Sequence, residues 1–193
     1  MGIGPGLAAV GYGIVEREAG GRKFIHIAHG VIKTSSRSPT PTRLLEICDA
    51  LRARIEEFAV DETSVEELFF ASNAKTALSV AQARGVAILA SAQAGTPVAE
   101  YSALSIKQAV VGYGRADKRQ VQQMVKVLLG LEEIPKPDHA ADALAAALCH
   151  LHQATPLAQA RKQASKNHEG PQSGPLSPNK ALLMQRRPRR SRR

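Results

Sequence analysis

Asp138, His139 and Asp142 are the residues of this chain whose types and spacing most directly suggest chemistry. On a helix, positions 139 and 142 are three apart and 138 and 142 four apart, so each pair shares a face. Carboxylate and neutral imidazole both ligate divalent metals. The plain alternative is a helix start, with Asp138 as the cap and the others in water. Asp142 fits that alternative poorly, because it is embedded in AADALAAAL, among residues that should be buried. An unpaired buried carboxylate is costly, so Asp142 needs a partner or a metal.

A second acid of interest is Glu66, in SVEELFF. Successive strand residues face opposite sides, so Glu66 and Glu67 cannot both point at one site. An acid near a strand's carboxyl end lies where α/β sheets place their active sites. The alternative is an edge position with both acids solvated, and spacing alone favours it. Lys107 and Lys118 each begin or precede an apolar helical run, with Lys75, Arg84 and Arg119 in the same basic set. Helix starts prefer acids, so these lysines do not serve the helix dipole. Contact with phosphate explains them, although for either lysine alone a solvated helix end is the simpler reading. Phe69 and Phe70 should alternate in direction. Either both are core, or one is exposed beside Glu66 and could stack on an unpaired base. The opening GIGPG is a tight turn of the kind that lets backbone approach phosphate, but a lone glycine-rich turn is weak evidence for that role.

The elements that must hold these residues read as an α/β alternation. After the Gly-Pro-Gly turn, AAVGYGIVE is predicted as a strand, and RKFIHIAHGVIK (22–33) as another strand or strand pair. Residues 40–58 carry apolar side chains at 44, 45, 47, 51, 55 and 58, which is helical spacing, with Thr40 or Thr42 as cap. TSVEELFF (63–70) reads as a short strand. NAKTALSVAQARGVAILASAQ (73–93) reads as a long helix opening on Asn73. Its stripe of Ala74, Ala77, Leu78, Ala81, Gly85, Ile88 and Ala92 is small-sided. Such a stripe suits either packing on the protein's own sheet or a helix–helix dimer seam, and the sequence does not choose. PVAEYS is predicted as a strand. Two helices should then end at Gly112 and Gly130, and a last helix should start near Asp138. Strands first and alternation afterwards suggest an α/β domain with a mixed sheet.

The 193 residues suffice for one domain with a real core and a tail. The 26 Lys/Arg and 17 Asp/Glu divide as 16 and 16 up to Ala154 and as 10 and 1 thereafter, so the whole net charge of +9 sits in the tail. Residues 1–154 are predicted to fold. Residues 155–193, basic and rich in Pro, Gly and Ser, are predicted to be disordered. No apolar run is long enough for a membrane span and no secretory signal is visible, so a cytoplasmic location is expected. Cys48 and Cys149 are expected to be reduced core thiols.

Four stretches, GIGPGLAAVGYGIVE, VEELFFASNAKTALSVAQARGVA, EYSALSIKQAVVGYGRADKRQVQQMV and PKPDHAADALAAALCH, resemble the RuvC family of Holliday-junction resolvases, in family order across about residues 2–153. The resemblance implies a ribonuclease H-like fold: a mixed five-stranded sheet flanked by helices. It implies a homodimer that nicks two opposed strands of a four-way DNA junction, with two Mg²⁺ ions per site and the RuvA–RuvB branch-migration complex as partner. By the same resemblance Glu66, His139 and Asp142 are the catalytic metal ligands, Asp138 is the residue before His139 and the helix cap, and Phe69, Lys107 and Lys118 contact DNA. Helix 73–93 falls where the family dimerises. The nitrogen donor of His139 would suit Mn²⁺ at least as well as Mg²⁺, so better activity with Mn²⁺ is expected.

The chain departs from the family at its start. The family motif Gly-Ile-Asp-Pro-Gly is here Gly2-Ile3-Gly4-Pro5-Gly6, and Met1 abuts it, so both the central strand and its acid are expected to be compromised. Two expectations follow: a resolvase altered only in its first residues, which the other motifs favour, or a catalytically crippled junction-binding protein. A more distant alternative is a ribonuclease H-like scaffold with only general affinity for nucleic acid.

Overall fold

The computed structural model describes residues 1–20, 23–68 and 74–153. Phe69, Phe70, Asn73 and the basic segment 155–193 lie outside the described residues, so the expectations placed on them have no structural counterpart.

Five strands form one sheet in the order β3-β2-β1-β4-β5. They are β1 (Gly2–Gly4), β2 (Ala9–Arg17), β3 (Phe24–Lys33), β4 (Thr63–Glu66) and β5 (Val98–Tyr101). β1, β2 and β3 pair antiparallel, whereas β4 is parallel to both β1 and β5. The residue pattern alone read GIGPG as a turn, while the family resemblance put it on the central strand: GIG is a central strand, paired on both sides, and the turn comes only after it. A three-residue strand with two glycines carries almost no local signal and exists because β2 and β4 pair with it on both sides. Residues 24–33 are a single strand, and β4 stops at Glu66 rather than running on to position 70.

One face of the sheet is covered by α1 (Thr40–Glu57) and α2 (Ala74–Gln93), and the other by α3 (Ala103–Val111), α4 (Lys118–Leu129) and α5 (Asp138–Gln153). The α1 stripe of Ile47, Leu51 and Ile55 packs with Ile3, Val10 and Val65 from the sheet. Pro39 is the N-cap of α1 and makes no side-chain cap bond, so neither Thr40 nor Thr42 caps this helix. Pro at the first turn presets its dihedral instead. On α2 the buried residues are Ala83, Ala87, Ala90 and Ser91, while Leu78, Gly85 and Ala92 of the small-sided stripe are exposed. The stripe therefore straddles the edge of the buried face: Ile88 packs against the core, whereas Leu78, Gly85 and Ala92 face outward.

α5 lies between the sheet and α3/α4, with every residue from Ala143 to Cys149 buried. It can lie so close because the sheet beneath it is paved with glycine. Gly2 pairs with Gly13, and Gly4 with Gly11. A Cβ at Gly2 would overlap the Ala143 carbonyl, one at Gly11 the His139 carbonyl, and one at Gly13 would come within 2.7 Å of the Leu144 nitrogen. Gly4 differs. A Cβ there meets only the His139 carbonyl oxygen at 3.5 Å and the Ala143 nitrogen at 3.9 Å, which is ordinary contact.

Candidate active site

Glu66 is the last residue of β4, and the parallel register Gly2–Ser64 and Ile3–Val65, continued by one residue, sets it beside Gly4. Ile3 and Val65 point into the core on the α1/α2 side, so by alternation Gly4 and Glu66 face α5. Glu67 is exposed, and its N–H continues the pairing by donating to the Tyr101 carbonyl at 2.9 Å. The two adjacent glutamates therefore diverge as strand geometry requires.

A cavity of about 210 Å³ opens at this end of the sheet, lined by Glu66, Lys107, Lys118 and Asp142 among apolar groups from α3, α4 and α5. Three local devices hold these side chains. Ser102 caps α3 by accepting from the Ser105 N–H, and the buried Ile106 anchors that helix beside Lys107. Asp117 caps α4 in a reciprocal box with Gln120, which fixes Lys118 as the first helical residue. The alanines around Asp142 bury α5 and leave that carboxylate at its edge.

The electrostatics are those of a crowded, partly dry site. Burial pushes the Glu66 carboxyl above its usual range, and the nearby Asp142 charge pushes the same way, against the pull of Lys107 and Lys118. Asp142 finds the partner that its apolar surroundings demand: the Lys118 ammonium donates to its Oδ2 at 3.2 Å. The same ammonium lies 3.2 Å from Asp138 Oδ2. Partial burial disfavours the Lys118 charge, but the two aspartates outweigh it and hold the group above the usual lysine value. The hydrogen bonds from Lys118 and Gln122 hold Asp138 below the carboxylate range. Asp138 is thus the first helical residue of α5, engaged by α4, rather than a cap.

The geometry brings Glu66, Asp142, Lys107 and Lys118 together. His139 shares the Asp142 face of α5 at helical spacing, but it is exposed and does not line the cavity; its carbonyl is what approaches Gly4 and Gly11. Arg84, in the basic set of the sequence, is paired with Glu100 instead. Among the described residues no group of three or more His, Cys, Asp or Glu side chains converges as a metal site. The sequence reading missed the Lys118 bridge, which spans 24 residues and two helices. A lysine at a helix start, where the dipole disfavours it, was the one available signal.

The profile described as crossover junction endodeoxyribonuclease RuvC matches residues 1–150. This chain belongs to the RuvC family. Relatives named crossover junction endodeoxyribonuclease RuvC include one from Alkaliphilus metalliredigens, 56% identical over 79% of this chain and 92% of the relative. Another, from Chloroflexus aggregans, is 53% identical over 81% of this chain and 94% of the relative. Thermus thermophilus RuvC, solved in complex with a Holliday junction substrate, superposes with a TM-score of 0.76 at 37% identity, over 81% of this chain and 94% of that one. The sheet order and helix layers are those of the ribonuclease H-like RuvC fold, as the sequence motifs implied.

Proposed function

We propose that this chain is a structure-selective endonuclease that resolves four-way DNA junctions by paired, metal-dependent nicks during recombination and repair, and that Gly4 slows its cutting. The observation that carries this reading is the cavity at the carboxyl end of β4, where two carboxylates stand opposite two ammonium groups in a chain of the RuvC family. A phosphodiester needs cationic contacts to dock, and its cleavage needs a hard cation held close by. The junction bound to the Thermus relative supports the substrate class.

In this reading Glu66 and Asp142 hold the cation, with His139 at the rim, and Lys107 and Lys118 contact DNA. Phe69 would stack on bases at the opened junction. Two carboxylates suit Mg²⁺ or Mn²⁺, ions that take oxygen ligands and keep several waters while completing their shell with a phosphate. When bound, such an ion supplies Lewis-acid activation of the scissile phosphate. Lys107 orients the phosphate and offsets its charge in the partly dry cavity. The exposed Leu78 and Leu89 of α2, with Leu45 of α1, offer the apolar surface for a homodimer that presents two sites to two strands. The RuvA–RuvB complex is the partner that the family resemblance supplies, in the cytoplasm. The basic segment 155–193 acts as a separate, non-specific DNA anchor.

One observation favours a second reading, a junction-binding protein that does not cut: position 4 has room for a side chain and holds none. Junction gels with Mg²⁺ and Mn²⁺, on this chain and on Gly4→Asp, separate the readings. Slow symmetric nicking that Gly4→Asp accelerates about a hundredfold is the expected result. Binding without nicking, cured only by Gly4→Asp, favours the second reading. Equal affinity for junction and linear duplex at matched salt refutes both.

A further inference from the structure

We infer that the site of this chain takes one divalent cation per protomer, because the Lys118 ammonium already serves as its second cation. The inference rests on the nuclease reading of the same cavity and departs from the pair of ions implied by the family resemblance.

Donor supply and charge balance both set this limit. β1 supplies no carboxylate, since it consists of Gly2, Ile3 and Gly4. Gly2, Gly11 and Gly13 cannot carry a side chain under α5, so no neighbouring position of that surface compensates. The charged groups lining the cavity are Glu66 and Asp142 against Lys107 and Lys118, which sum to zero. Two divalent ions would add four positive charges to a neutral cavity. One ion shared by Glu66 and Asp142 adds two, of which the single negative charge of the incoming phosphodiester offsets one, whereas two ions would leave an excess of three. Asp138, about one turn before Asp142 on α5, is drawn to Lys118 and Gln122 on α4. Lys118 thus ties Asp138 to Asp142, as a bridging cation would, and repels a second ion from Asp142.

Mn²⁺ binding to the DNA-free full chain, counted by electron paramagnetic resonance, tests this. The unaltered protein should bind one Mn²⁺ per protomer. Lys118→Met keeps most of the length of the side chain, removes its charge, and should tighten Mn²⁺ binding about tenfold, as expected for a unit charge removed some 5 Å from a dication in a well-screened site. Lys118→Arg keeps the charge and should bind as the unaltered chain does. Lys118→Met leaves Asp142 unpaired and should melt somewhat below the parent while staying folded at the temperature of the binding measurement, whereas Lys118→Arg should melt with the parent; melts of the same samples check both. Two ions of similar affinity in the unaltered chain overturn the inference. So does a folded Lys118→Met that binds Mn²⁺ no more tightly, or an arginine variant that tightens equally. Junction gels with Mg²⁺ and Mn²⁺ on the unaltered chain, scored for nicking, report on the nuclease reading alone, so failure of either idea is seen separately.

Discussion

Replacing Gly4 and Gly11 by alanine, one at a time, should give opposite results, although the two residues face each other across β1 and β2. At Gly11 the new methyl group would overlap the carbonyl of His139 and come within 3.1 Å of its Cβ. Backbone cannot rotate away as a side chain can, so α5 must lift by roughly an ångström. That opens its packing from Ala140 to Leu148, and overpacking of this kind costs about 3 kcal/mol or more. At Gly4 the methyl group sits at 3.5 and 3.9 Å from its nearest neighbours and strains nothing. Removing the freedom of glycine in the unfolded chain then stabilises by about 0.4–1 kcal/mol. For a domain of this size, about 2–4 °C per kcal/mol, Gly11→Ala should melt roughly 6–12 °C lower and Gly4→Ala at or slightly above the parent. Thermal and urea melts of the three proteins read this directly. If Gly4→Ala loses as much stability as Gly11→Ala, Gly4 is a packing glycine like its neighbours, and the reasoning about an open position at the site is wrong.

Glu66→Gln and Asp142→Asn should each reduce nicking about a hundredfold or more while leaving junction binding in metal-free gels within a few-fold; loss of binding in step with nicking would mean that these acids hold the fold rather than the reaction. Deleting 155–193 should flatten the dependence of duplex affinity on salt, by close to one logarithmic unit of slope for each phosphate that the segment had neutralised, and an unchanged slope refutes the anchor. Burial holds the pKa of His26 below the usual histidine value, with His29 adding to the effect, and burial does the same at His152. The unfolded chain then binds protons that the folded one refuses, so stability should fall as the pH drops through about 6.5, where unfolded histidine is half protonated. Urea midpoints at pH 7.5 and 5.5 check the sign, and His26→Gln should reduce the difference.

Where the sequence was read correctly, the signal was local. Gly112 and Gly130 end α3 and α4 in the left-handed conformation, at φ 92° and 61°, because few other residues adopt it freely. The helix between Asp117 and Gly130 buries Val121, Val125 and Leu129, four apart, on one side. α2 resisted because alanine occurs on all its sides, so periodicity offers no contrast between Ala83, Ala87 and Ala90, which are buried, and Leu78, Gly85 and Ala92 of the stripe, which are not. β1 resisted because strand pairing, not side-chain pattern, makes it a strand. At the site, the divergence of Glu66 and Glu67 and the need of Asp142 for a partner followed from alternation and burial. That the partner is Lys118 depended on how α4 packs on α5, which no local spacing encodes.

The glycine paving also limits how this site could regain an acid. Asp142 reaches the cavity because α5 lies almost on the sheet, and α5 lies there because Gly2, Gly11 and Gly13 have no side chains. The packing that creates the site therefore forbids a carboxylate at three of the four glycines facing it. Only position 4, at the carboxyl end of the central strand, can bear one without moving the helix that carries the other ligand. In a selection for faster junction cleavage from single substitutions at these four glycines, Gly4→Asp should emerge, with Gly4→Glu as the longer alternative. Gly2→Asp, Gly11→Asp and Gly13→Asp should be absent, and each made deliberately should lose both stability and cleavage. Recovery of a cleaving Gly11→Asp or Gly13→Asp would show that α5 can shift and still deliver Asp142, and the link between close packing and site geometry would be broken.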